Sequence, residues 1–185
     1  MRREPVSGAR YKGASLVSLR QMLQIALVEE RFLEALDDAD RDHYRRVTAT
    51  DWVPVGLAAR LYAAAAPLLY PGQVGPVRLL GRALARDHLR GIYRFVLRLV
   101  TVQFVLDQTG RLWRMYNGRG ELLVERVHER TVRMALVDYP DYPLEVRESL
   151  VGYIAGAIEL TGAHEVRVVT DDADPMKVTF TASWR

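Results

Sequence analysis

The side chains that could do chemistry are few and scattered. The 185-residue chain has no cysteine, so disulfides, zinc fingers, iron–sulfur clusters, thiolate haem ligation and a cysteine nucleophile are excluded together. Its four histidines, His43, His88, His128 and His164, fall in four different segments, with no partner three or four residues away, and no metal site is expected of them. They read as surface or edge-strand imidazoles. A proximal haem ligand would have to be His88, which stands on a predicted helix, although a lone helical histidine is more often structural. The carboxylate doublets Glu29-Glu30 and Asp171-Asp172 are adjacent residues that point apart on a helix or a strand, so sequence proximity makes neither an acid–base pair. There is no nucleophile-elbow pattern, and the Gly-Arg-Gly at 118–120 reads as a hairpin turn, not a phosphate cradle. The expectation is a non-catalytic protein without cofactor.

Two patterns point to binding instead. Arg78, Arg82, Arg86, Arg90, Arg94 and Arg98 recur every four residues, a series that winds about 200° around a straight helix. They cannot share one face. Either the helix breaks near Gly91, or Arg94 and Arg98, set among Ile92, Tyr93, Phe95, Val96 and Leu97, lie beside the apolar core, where a guanidinium demands a carboxylate or phosphate. The bland reading is a set of solvated arginines with Asp or Glu partners in the same chain. The aromatic residues Trp52, Tyr62, Tyr93, Trp113, Tyr116, Tyr153 and Trp184 read first as core. Convergence of several with Arg94 would build an amphipathic pocket for a small organic ligand, and Tyr93, Arg94, Trp113 and Tyr153 are the residues expected nearest to it.

Residues 1–13 read as a flexible lead-in, with a short strand at Arg10–Lys12, and residues 14–185 as one domain. A helix is predicted from Ser15 to about Asp38, followed by a polar connection through Asp37, Asp38, Asp40 and Asp42. A second helix is capped by Thr50 or Asp51, takes Pro54 in its first turn and runs to about Leu69. A third covers about Gly75 to Val100, and a short one Val102–Gln108. The period then changes: strands are predicted at Arg111–Tyr116 and Glu121–Val127, joined by an Asn117-Gly118 turn, then at Thr131–Asp138. Leu144–Thr161 forms a helix closed by Gly162, and Glu165–Thr170 and Lys177–Trp184 form a final hairpin. Helices first and strands later argue for an α+β fold with an antiparallel sheet of about five strands and helices mainly on one face.

Composition is that of a soluble globular chain, 49% apolar and 26% charged. Only Lys12 and Lys177 interrupt an otherwise all-arginine set of 26 basic residues, a skew that reads first as codon usage. With 23 acidic residues mixed through the chain, no nucleic-acid-binding patch is expected. The basic start MRREPVSGARYKG lacks an apolar stretch after it, and no segment is apolar enough for a membrane span, so a cytoplasmic protein is expected.

Several segments, in order along nearly the whole chain, carry a resemblance: Tyr11-Lys12-Gly13, Asp51-Trp52-Val53-Pro54-Val55, Leu80-Gly81-Arg82, Arg90-Gly91-Ile92-Tyr93-Arg94, Arg111 to Tyr116, Gly120-Glu121-Leu122, Tyr153-Ile154-Ala155-Gly156 and Phe180 to Trp184. They resemble an uncharacterised conserved family of myxobacteria and related deltaproteobacteria. That family looks related to the 4-vinyl-reductase-type domain, in the superfamily of haem-based NO sensors and Bet3-type trafficking proteins. The resemblance implies an internal cavity between helices and sheet, a small-molecule or acyl ligand, and frequent homodimers. Some domains of this type carry cysteines near their end, whereas Thr170 to Met176 has none, so no cysteine-dependent metal site is carried over. Two functions compete: a sensory or regulatory ligand-binding module, and a dimerising adaptor whose interface would use Leu97, Val100 and Phe104 together with Val102 and Val105.

Overall fold

The computed structural model describes residues 8–93, 101–139, 141–174 and 177–185, with the backbone alone at 90–93. Strand β1 (Arg10–Lys12) is followed by helices α1 (Ala14–Ile25), α2 (Glu29–Glu34) and α3 (Asp38–Arg46). Where one helix from Ser15 to about Asp38 is predicted, two occur, α1 and α2. The break lies at Leu27, an exposed residue in the left-handed region at φ 56°, whose neighbour Val28 donates its N–H back to Leu23 O at 3.0 Å. That is a helix-terminating arrangement usually given to glycine. The acidic cluster is no polar connection: Asp37 caps α3, its side chain accepting from Asp40 N at 2.8 Å, so the acids sit at the positive end of a helix. Buried Asp40 in turn receives both Nε and one terminal nitrogen of Arg60 at 2.6 Å.

Strand β2 (Trp52–Pro54) pairs antiparallel with β1, so Pro54 ends a strand immediately before α4 (Val55–Leu69) instead of lying within its first turn. Helix α5 (Pro76–Tyr93) passes unbroken through Gly91, and α6 (Val102–Tyr116) is a single 15-residue helix. The predicted strand at Arg111–Tyr116 is therefore the second half of α6. Leu106, Thr109, Trp113 and Tyr116, spaced three or four apart, put one face of that helix inward. Asn117-Gly118 joins helix to strand; Gly118 donates to Arg10 O at 2.9 Å and ties this connection to β1.

Strands β3 (Glu121–His128) and β4 (Thr131–Val137), helix α7 (Leu144–Glu159), and strands β5 (Arg167–Asp174) and β6 (Lys177–Ser183) complete the chain. The fold is α+β, with antiparallel sheets of two strands (β1-β2) and four strands in the order β3-β4-β6-β5; these replace the expected sheet of about five. Alternation along β4 buries Val132, Met134 and Leu136, and the register sets them opposite Ala182, Phe180 and Val178 of β6, which supplies the sheet's half of the core.

The helical half is organised by α5 and α7, which cross at glycine. A β-carbon on Gly81 would overlap the backbone carbonyl of Ser149, one on Gly152 that of Arg78, and one on Gly156 would sit 2.8 Å from Arg82 O. Arg78 pairs with Glu148, and Arg82 and Arg86 reach Glu159 at 3.3 and 3.4 Å. The first half of the arginine series therefore has carboxylate partners on α7, as the bland reading expects. Arg94 and Arg98 lie outside the described residues, as does the side chain of Arg90. Among the described residues, no helix is long and apolar enough to cross a membrane.

Candidate functional site

A cavity opens between α5, α6 and α7 above the sheet. Its volume, measured to the centre of a water molecule, is about 100 Å³. Helix α6 contributes Val105, Leu106, Trp113 and Tyr116; α7 contributes Val146, Leu150, Tyr153 and Ile154; Leu122 and Met134 form the sheet side. The wall is overwhelmingly apolar, with buried Ser15, Ser149 and Asn117 among its polar members.

Trp113 organises one end. It is 4% exposed, its Nε1–H is shared between Arg119 O at 3.1 Å and Gly120 O at 3.0 Å, and Tyr139 and Tyr142 meet its ring edge-on at 6.2 and 6.0 Å. One indole thus fixes the connection from α6 to β3 and supplies cavity wall. His88 stands at another point of the wall, stacked on Tyr116 with centroids 5.1 Å apart and planes 15° from parallel, and 5.9 Å from Tyr153. Both of its ring nitrogens are sealed from solvent and have no hydrogen-bond partner among the described residues. The same holds for Oδ1 of Asn117, whose Nδ2 donates to Trp113 O at 3.4 Å.

Among the described residues the cavity wall carries no Asp, Glu, Lys or Arg. Burial pushes the phenols of Tyr11, Tyr116 and Tyr142 up, so they stay protonated. Burial also lowers His88 from its ordinary value near 6.5, against a smaller upward pull from Asp87, and the imidazole is uncharged at neutral pH. In the unfolded chain His88 regains its ordinary affinity for protons. Between its folded and unfolded pKa values the unfolded state therefore holds more protons, and the stability due to neutral His88, complete above about pH 6.5, is lost as pH falls below it. Denaturant titrations at pH 5 to 8 are expected to show a steeper acid-side loss for the unaltered protein than for His88→Phe; parallel curves would contradict the burial of the imidazole.

Of the four residues expected to lie nearest a ligand, Trp113 and Tyr153 line the cavity. Tyr93 ends α5 with its side chain outside the described residues, and Arg94 lies outside them altogether. Of the other aromatic candidates, Tyr116 joins the wall; Tyr62 is core, its hydroxyl 3.3 Å from that of Tyr11; Trp52 is on the surface with Lys12 4.6 Å over its ring. Leu97 and Val100 of the expected interface are outside the described residues, and Phe104 is exposed on α6. Asn117 and His88 join the wall without being among the residues expected nearest a ligand. The signals that point to them are the three-and-four spacing along α6 and the helical position of His88.

No family profile matches the chain, and no curated protein sequence matches it. Solved structures do. An Fe(II) unliganded H-NOX protein from K. algicida superposes with a TM-score of 0.63 at 10% identity, covering 94% of this chain and 96% of that one, and a point mutant of the same protein with 0.67 at 8% identity, over 94% and 96%. A point mutant of T. tengcongensis H-NOX gives 0.63 at 15% identity, over 94% and 97%. Coverage is nearly complete in both directions, and the chain has the H-NOX fold.

Proposed function

We propose that the chain is a non-catalytic sensory or regulatory module that holds a small, chiefly apolar ligand between α5, α6 and α7. The observation that carries this reading is the cavity itself: a concave, chiefly apolar wall with a few polar groups is the usual form of a small-molecule site. The shared H-NOX fold and the resemblance to 4-vinyl-reductase-type domains support it. Helices α5 and α7 are locked together at their glycines, whereas α6 packs chiefly on β3 and faces them across the cavity. A ligand there touches both bodies, and its differential affinity for two positions of α6 is the means by which occupancy becomes a signal.

The fold raises the question of haem, which figures in work on structures of this fold concerned with porphyrin distortion. His88 has the free nitrogen an axial ligand needs. The remaining features do not fit: the space is about 100 Å³, Tyr116 is stacked against the imidazole, and no Lys or Arg among the described residues lines the wall to meet the porphyrin's carboxylates. A cavity of about 150 Å³ takes benzene, which sets the size of guest that suits this one.

Native mass spectrometry of protein purified from its own host, followed by solvent extraction, tests the proposal. A co-purifying small molecule at stoichiometric amount is the expected result; a bare chain whose crystal structure has a closed core would remove it. The dimerising-adaptor reading rests on Phe104 and Met115, 42% and 45% exposed, which are eleven residues apart and so share one side of α6. Light scattering at micromolar concentration tests it: a monomer counts against the adaptor, and a dimer whose symmetric contact buries about 1,000 Å² or more, with the cavity closed, favours it.

A further inference from the structure

We infer that His88 and Asn117 form the polar end of the cavity and select an uncharged, compact ligand bearing a hydroxyl group. The inference rests on the reading of the cavity as a ligand site and names the ligand's class. Buried polar atoms in folded proteins are almost always hydrogen-bonded, and two residues on this wall break that rule together: both nitrogens of His88 and the Oδ1 of Asn117 are sealed and unpartnered among the described residues. Both residues line the same cavity, and the imidazole stacks on Tyr116, the residue before Asn117. Asn117 is 8% exposed, and its amide nitrogen is already committed to Trp113 O, so only its carbonyl is left to serve a guest.

The available groups define what must arrive. A neutral imidazole offers one donor and one acceptor, and the Asn117 carbonyl offers an acceptor. The complementary group has to give a hydrogen and is able to accept one, which a hydroxyl does at a single atom. A carboxylate only accepts, and it would meet two acceptors with no Lys or Arg on the described wall to neutralise it. An ammonium only donates and would carry an unpaired charge into apolar surroundings. The ligand's remaining part is limited by a volume of about 100 Å³ to roughly one ring or a short branched chain.

Cyclohexanol, benzene and cyclohexanecarboxylate are suitable probes, titrated into the full chain and followed by nitrogen-15 NMR of the histidine rings and asparagine amides. Cyclohexanol should bind about tenfold more tightly than benzene and move the signals of His88 and Asn117, and the carboxylate should not bind. His88→Phe should reduce cyclohexanol affinity about tenfold and leave benzene unchanged. Should that variant fail to fold, the His88 ring signals of the unaltered chain decide alone. Equal affinity for cyclohexanol and benzene, ring signals unmoved at saturation, or tightest binding by the carboxylate would each overturn the inference while leaving the cavity a ligand site. Binding of none of the three would overturn both.

Discussion

Gly152→Ala should cost about 4 kcal/mol or more, beyond the roughly 1 to 3 typical of overpacking, and lower the melting temperature by about 10 °C. The added methyl would occupy the position of the Arg78 backbone carbonyl. A methyl has no rotamer that escapes, and its obstacle is backbone, so α5 and α7 must move apart. Separation also disturbs the ion pairs of Arg78 with Glu148 and of Arg82 with Glu159. Gly81→Ala, aimed at the carbonyl of Ser149 from the other helix, should behave alike. Helix propensity works in the opposite direction, since alanine gains about 1 kcal/mol over glycine in a helix interior. Gly110→Ala isolates that gain: it lies within α6, its nearest neighbour Leu122 O would be 3.7 Å from a β-carbon, and a neutral or slightly stabilising change is expected. Thermal unfolding of the three variants decides the matter, and a stabilised Gly152→Ala would contradict so close a crossing.

Trp113→Ala is expected to cost about 3 to 5 kcal/mol through lost burial and an unfilled cavity. The indole is 4% exposed and wedged against Tyr139 and Tyr142, with little beyond those rings able to collapse into its place. Its N–H also holds the carbonyls of Arg119 and Gly120, so the start of β3 loosens with it. Trp113→Phe keeps much of the ring and removes that tie, and should cost about 1 kcal/mol together with the loss of some ring area. Guanidinium unfolding with an unchanged slope measures both; a change under about 1 kcal/mol for Trp113→Ala would contradict the role given to this side chain.

The last helix, strands β3 to β6 and the strand at Arg10–Lys12 are legible in the sequence, because apolar periodicity and glycine or proline punctuation agree there. The misreadings have local causes. Leu27 takes a backbone conformation that its type does not announce, so the first helix reads as continuous. Asn117-Gly118 carries a strong hairpin signal, and the short segment Arg111 to Tyr116, with Trp113 and Tyr116, reads easily as the strand before it. Over 15 residues the inward face of α6 is helical, and packing on β3 and the cavity decides between the two. The site is half legible: Trp113 and Tyr153 are aromatic residues of the kind that line ligand cavities. His88 stands out as a helical imidazole, but its meeting with Tyr116 and Tyr153 depends on how α5, α6 and α7 pack, which no one-dimensional spacing encodes. The arginine series, conspicuous in sequence, is ordinary where it is described, since three of its members pair with carboxylates of α7.

If the space between α5, α6 and α7 is an apolar site able to hold a small guest, a crystal of the protein placed under xenon pressure shows it most directly, because xenon occupies dry apolar cavities without needing the native ligand. The expected result is xenon density, or density of a retained molecule that xenon does not displace, within the wall formed by His88, Trp113, Tyr153 and Ile154. Xenon confined to the surface, with the aromatic side chains of α6 and α7 closed over the space, would contradict it.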